Sequence, residues 1–121
     1  MIAALSFRKK LRTMVRRWLP ALVVFALTGP VPLLAWAASH RIEQRNRAFD
    51  MSEVTIAAGD SVLFTNEDQF LHQIYVKSAA MNFESSEQPP GQTVEVRFPA
   101  TGTFAVRCHI HPTMSLTVMV R

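Results

Sequence analysis

Seven consecutive residues near the C-terminus, Cys108-His109-Ile110-His111-Pro112-Thr113-Met114, carry a thiol, two imidazoles and a thioether, and another imidazole, His72, lies in an earlier β-like segment. A soft thiolate with two imidazoles makes a trigonal donor set, and a thioether further off completes it weakly and helps to set the reduction potential; this is the ligand set of a mononuclear blue-copper centre. The residues expected to hold the metal are therefore His72, Cys108, His111 and Met114. Zinc accepts the same Cys-His-His donors in a tetrahedron, but without colour. Thiol catalysis is the weaker chemistry, because a nucleophilic Cys-His pair needs an orienting group and no Asp or Glu occurs from Cys108 to Arg121.

The elements that must position these side chains read as short strands divided by turns, with no helical periodicity of useful length. Val54-Thr55-Ile56 precedes the turn signal Gly59-Asp60, and Ser61 to Thr65 alternates Val62 and Phe64 with small polar neighbours. Phe70 to Val76 sets His72, Ile74 and Val76 on one face. Val94, Val96 and Phe98 share a side, the turn Pro99-Ala100-Thr101-Gly102 follows, and Phe104, Val106 and Cys108 share another. Cys108 is thus expected to point into the core. Leu116, Val118 and Val120 close the pattern, and six or seven short strands argue an all-β sandwich.

The first third of the chain reads differently. Arg8, Lys9, Lys10, Arg12, Arg16 and Arg17 make the start basic, and Trp18 to Ala38 carries no charge. An apolar run from Leu19 to Leu27, a break at Gly29, Pro30 and Pro32, and small residues at Ala35 and Ala37 fit a cleavable secretory leader cut after Ala37. An uncleaved membrane anchor is the alternative, and either one exports the remainder to the periplasm or an equivalent compartment. The general secretory route is favoured over the twin-arginine route, whose usual pattern around Arg16-Arg17 is not met. The expected division is 1–37 as signal peptide or anchor, 38–47 as a loose polar extension, and 48–121 as the folded domain.

The formal charge of +4 belongs to that leader: beyond Arg17 there are seven Lys and Arg against nine Asp and Glu, a net −2. No basic stripe remains for nucleic acid. Cys108 is the only cysteine, so no intrachain disulfide can form, and a lone thiol in an oxidising compartment is accounted for by metal ligation. The mature chain of about 84 residues buries a modest share of its unfolded surface, so bound metal is expected to matter for stability.

Over roughly Phe49 to Arg121 the chain resembles the cupredoxins of the plastocyanin and amicyanin kind. Cysteine, two residues, histidine, two residues, methionine is similar to the short ligand loop of amicyanin. Asn66, six residues before His72, resembles the family's asparagine that ties the two ligand loops together, and Gly59-Asp60-x-Val62-x-Phe64 resembles the strand leading there. Leu71 and Gln73 flank His72 where these families commonly have proline and asparagine. The resemblance implies a Greek-key sandwich and one copper ion cycling between Cu(I) and Cu(II) in a monomeric electron-transfer protein. It also implies a redox donor and acceptor, such as a dehydrogenase and a c-type cytochrome, and an apolar docking patch around His111 for which Phe70, Leu71, Pro89, Pro90 and Pro112 are candidates.

His109 is one residue out of phase with Cys108 and is expected to face solvent. Met119 is out of phase with its strand and is not the expected axial ligand, and Met51 and Met81 are read as packing residues. A leader cut after Ala37 would leave Ala38-Ser39-His40 at a free terminus, where an amine, two amides and an imidazole can wrap Cu(II) or Ni(II) in a square plane. Copper delivery or storage without electron transfer is the competing function.

Overall fold

Alternating burial along Gly102–Cys108, with Phe104, Val106 and Cys108 inward, is the simplest sign of how this chain folds, and the same period-two pattern recurs in its neighbours. The computed structural model describes residues 29–121, so most of the expected leader lies outside the described residues. Nine strands are present among them: β1 (Ser39–Arg45), β2 (Ala48–Phe49), β3 (Glu53–Ile56), β4 (Ser61–Asn66), β5 (Ile74–Lys77), β6 (Asn82–Glu84), β7 (Thr93–Arg97), β8 (Gly102–Cys108) and β9 (Ser115–Val120). They form two sheets, in the orders β2-β1-β4-β7 and β3-β9-β8-β5-β6. β1 runs parallel to β4 and β3 parallel to β9; the other pairings are antiparallel. The result is the expected all-β sandwich. Its core includes Ile42, Val62, Phe64, Val96 and Phe98 from one sheet and its edge, and Ile74, Val76, Phe104, Val106, Leu116 and Val118 from the other.

The stretch expected to be a loose extension is instead β1. Its side chains give little apolar signal, because only Ile42 and Gln44 of this strand are fully buried and one of them is polar. Gln44 is tolerated inside because its Nε2 donates to Gln88 Oε1 at 2.8 Å, while Gln88 Nε2 donates to the Phe64 carbonyl at 2.7 Å. Pairing from Ser39↔Ser61 to Gln44↔Asn66 supplies the backbone partners. Asn46 and Arg47, with φ of 54° and 55°, then make the two-residue turn into β2.

A second difference falls on His72. The strand expected from Phe70 begins only at Ile74, and His72 sits before it in a loop, fixed by an isolated bridge to Gln88. Met51 is exposed rather than packed, whereas Met81 does pack on the core.

Candidate metal centre

Three strand ends converge at one end of the sandwich. Cys108 is the last residue of β8 and faces inward with 1% exposure, and its backbone pairs with Ile74 at the start of β5. His72 lies two residues before that start and is fully buried. His111 and Met114 belong to the loop between β8 and β9, closed by a Met114 N–H bond to the His111 carbonyl at 3.0 Å. Met114 is buried and His111 only half-buried.

The donor atoms form a compact triangle. His72 Nδ1 lies 3.2 Å from His111 Nδ1, and Cys108 Sγ lies 3.7 Å from the first and 4.0 Å from the second. Bonds of about 2.0 Å to nitrogen and about 2.3 Å to sulfur, arranged in a trigonal plane, demand separations of about 3.5 Å and about 3.8 Å. The triangle therefore fits one first-row metal ion at its centre. Among the described residues this is the one group of three such side chains.

The surroundings orient the donor groups. Asp68, 6% exposed, accepts from His72 Nε2 at 2.9 Å, which leaves Nδ1 bare and aimed at Cys108. The same carboxylate accepts the backbone N–H groups of Asn46 and Arg47 in the β1–β2 turn. Burial raises the Asp68 pKa, but the bonds from Arg47, His72 and Asn46 prevail and hold the carboxyl below its ordinary value. His111 is pushed below the ordinary histidine value, first by burial and then by the neighbouring His72 and Arg47. The Gln73 N–H donates to Cys108 Sγ at 3.3 Å, and His109 N–H donates to the Gln73 carbonyl at 3.0 Å.

Neither Asp68 nor Gln73 was picked out from the sequence as a partner of the site. Asp68 precedes His72 by one helical-turn spacing in a stretch that is not helical, and nothing in its neighbours marks it. Gln73 acts through its backbone, which has no residue-type signature. The tie between the ligand loops assigned to Asn66 falls to Gln73 instead. Asn66 Nδ2 donates to the Phe70 and Gln88 carbonyls at 2.7 and 2.8 Å and its Oδ1 accepts from Asp68 N–H, so it braces the His72 loop against the segment before β7.

Around the half-buried His111 lie the residues expected to form a patch. Phe70, Leu71 and Ile110 are 43%, 40% and 40% exposed, and the Phe70 ring meets His111 edge-on at 6.2 Å. Pro89, Pro90 and Pro112 are exposed as well. Arg47 stacks its guanidinium 4.0 Å above the Phe70 ring, placing a cation on this rim. His109 is apart from the triangle, stacked on Tyr75 at 3.9 Å with Nε2 3.4 Å from Glu84.

The fold and donor set define a cupredoxin. Residues 37–121 match the family described as copper binding proteins, plastocyanin/azurin family. The chain is 33% identical to amicyanin-alpha of Methylorubrum extorquens over 87 residues, 69% of this chain and 73% of that protein. A solved amicyanin variant in its Cu(I) form superposes with a TM-score of 0.65 at 17% identity, covering 69% of this chain and 82% of that one. A copper-containing nitrite reductase from Thermus scotoductus superposes at 0.63 with 22% identity over 69% of this chain, which spans only 22% of that enzyme. This chain belongs to the plastocyanin/azurin family, in its plastocyanin and amicyanin type, and its cofactor is copper.

Proposed function

We propose that the chain is an exported one-electron carrier, not an enzyme, in which His72, Cys108 and His111 would hold one copper ion and Met114 would complete the site as a weaker thioether donor. The observation that carries this reading is the buried triangle of two Nδ1 atoms and one Sγ at trigonal spacing. When bound, copper supplies a Cu(I)/Cu(II) couple that exchanges one electron without bonds being made or broken.

The chain's own residues do the rest. Asp68 and the β1–β2 turn lock the His72 ring, so its Nδ1 would be held in one orientation toward the metal. Gln73 N–H steadies the sulfur. The β8–β9 loop presents His111 at the surface between Phe70 and Pro112, where an apolar patch lets a redox protein approach closely and leave quickly. Arg47 at the rim favours an acidic edge on that partner. A donor such as a dehydrogenase and an acceptor such as a c-type cytochrome fit this chemistry, and the carrier acts as a monomer. Residues 1–37 direct it to the periplasm, as a cleaved leader or as an anchor.

Protein purified from the periplasm should be intensely coloured through sulfur-to-copper charge transfer and should reduce or oxidise a soluble c-type cytochrome rapidly. A fully copper-loaded sample that exchanges electrons slowly would favour delivery or storage. A colourless, zinc-loaded one would refute the copper site.

A further inference from the structure

A second buried carboxylate lies at the other end of β4. Ala57 to Asp60 form a tight turn in which Asp60 N–H bonds the Ala57 carbonyl at 3.1 Å and Gly59 takes φ of 94°, a value that side chains rarely adopt. The turn aims the Asp60 carboxylate back at the start of β1. It accepts the Ala38 N–H at 2.8 Å on Oδ1, and His40 Nε2 at 2.9 Å and the Ala57 N–H at 3.0 Å on Oδ2. Asp60 is 6% exposed. The Ala38 carbonyl is already in the sheet, accepting the Ser61 N–H at 2.9 Å.

Immediately upstream the character of the chain changes. Leu34 and Trp36 are 80% and 90% exposed and belong to no strand. Ala35 and Ala37 are the small residues that a leader peptidase reads before its cut. The boundary between exposed chain and paired strand therefore coincides with the expected scissile bond, and the first donor inside it points at a buried carboxylate.

We propose that Asp60 is the binding site for the N-terminal ammonium of the processed protein, so that removal of the leader between Ala37 and Ala38 turns the amide donor of this hydrogen bond into a cation and the contact into an ion pair that pins β1. The proposal rests on the export reading and adds to it the place where the new terminus docks. Hydrolysis breaks the Ala37–Ala38 amide: water gives its hydroxyl to the Ala37 carbonyl and its hydrogen to the Ala38 nitrogen, which takes a further proton from solvent. The positive charge appears where a carboxylate already lies, so a hydrogen bond that was charged on one side becomes charged on both. The other titratable or charged residues at this corner are His40 on β1, Arg97, which pairs with Ser61 across β4 and β7, and Arg121, whose backbone bonds Ile56 and Ala58. The same contacts oppose the square-planar chelate at Ala38-Ser39-His40, because both the amine and the imidazole are directed to Asp60.

The test uses the exported protein as purified. Intact mass fixes its first residue, and the pH dependence of acylation of the terminal amine, in the folded protein and in urea, gives the amine pKa. The expected outcome is a chain beginning at Ala38 whose amine titrates at least one unit higher when folded than the ordinary value of about 7.7–8.0. That difference should vanish in Asp60→Asn and persist in His40→Gln. If Asp60→Asn does not fold, the folded-against-urea comparison of the native sequence still decides. A chain that begins at Ala38 but titrates alike in both states overturns the Asp60 assignment and leaves export intact. A chain that keeps its leader, or begins elsewhere, overturns the processing step and the assignment together.

Discussion

β4 is flanked by two aspartates that do nearly the same thing for different ends. Asp60, just before it, and Asp68, two residues after it, are each 6% exposed, and each accepts two backbone N–H groups and one histidine Nε2. Each also grips β1, one at its start and one at the turn that follows it. The six residues of β4 span on the order of 20 Å, so the two clusters stand at opposite ends of the strand. His40 at one end remains partly exposed and has no thiol or second imidazole beside it. His72 at the other is fully buried and faces Cys108 and His111. The same local device is thus structural or functional according to what the opposite sheet brings to it.

The contrast can be broken most completely at sulfur. Cys108→Ser should abolish the visible charge-transfer band and the Cu(I)/Cu(II) couple, read by absorption and voltammetry. Removing copper from the native protein should lower its melting temperature, since a ligand bound only by the folded state stabilises it by mass action. The Asp60 end should be indifferent to both. Next in size comes Asp68→Ala, which strips partners from His72 Nε2 and from the Asn46 and Arg47 N–H groups. Loss of these charge-assisted bonds should cost about 2 kcal/mol in urea unfolding, and loss of the second partner of a ligating histidine should weaken copper about 10- to 100-fold. A variant that keeps native copper affinity would refute the positioning role of Asp68.

These two ends were unequally legible in the sequence. The thiol, imidazoles and thioether announce themselves by type and spacing, and the strands β4, β7, β8 and β9 by alternating apolar residues, so the sandwich and the donor cluster could both be anticipated. β1 could not, because Gln44 occupies a core position that only its bond to Gln88 makes tolerable. A buried polar residue looks in sequence like a solvated one. The two aspartates were hidden for a related reason: their partners are mostly backbone N–H groups brought near by pairing of β1 with β4, a contact between segments some 20 residues apart. Asn66 ties the His72 loop to the segment before β7 rather than to the second ligand loop, since the reach of a side chain depends on loop paths that spacing does not reveal.

A smaller effect separates the two carboxylates. Asp60→Asn should lower the melting temperature while leaving the absorption maximum and reduction potential of the copper protein unchanged, whereas Asp68 substitutions should alter both. The Asp60 carboxyl is held below its ordinary value of 3.8 chiefly by the His40 bond, then by the Ala38 and Ala57 N–H groups. A depressed carboxyl contributes stability that is present above the unfolded-state pKa and is lost as pH falls through the folded one. The acid limb of the native stability curve should therefore be shallower in Asp60→Asn.

The smallest expected effect concerns His111, and its sign is opposite to that of a histidine stabilised by a carboxylate. Burial and the neighbouring His72 and Arg47 hold its pKa below 6.5 in the metal-free protein, with only Asp68 working the other way. The unfolded chain then binds a proton more readily than the folded one, so stability rises with pH wherever the two differ. Metal-free protein should lose stability as pH falls through about 6.5 and level off below the folded-state pKa of His111. His111→Gln should flatten that limb without touching the more acidic one that Asp60 controls. The same preference for neutral imidazole keeps His111 ready to ligate at neutral pH, and a proton competing for Nδ1 should raise the reduction potential as pH is lowered. A midpoint potential that stays flat from pH 8 to about pH 5, together with an unchanged stability limb in His111→Gln, would separate this imidazole from the acid response and leave the carboxylates as its source.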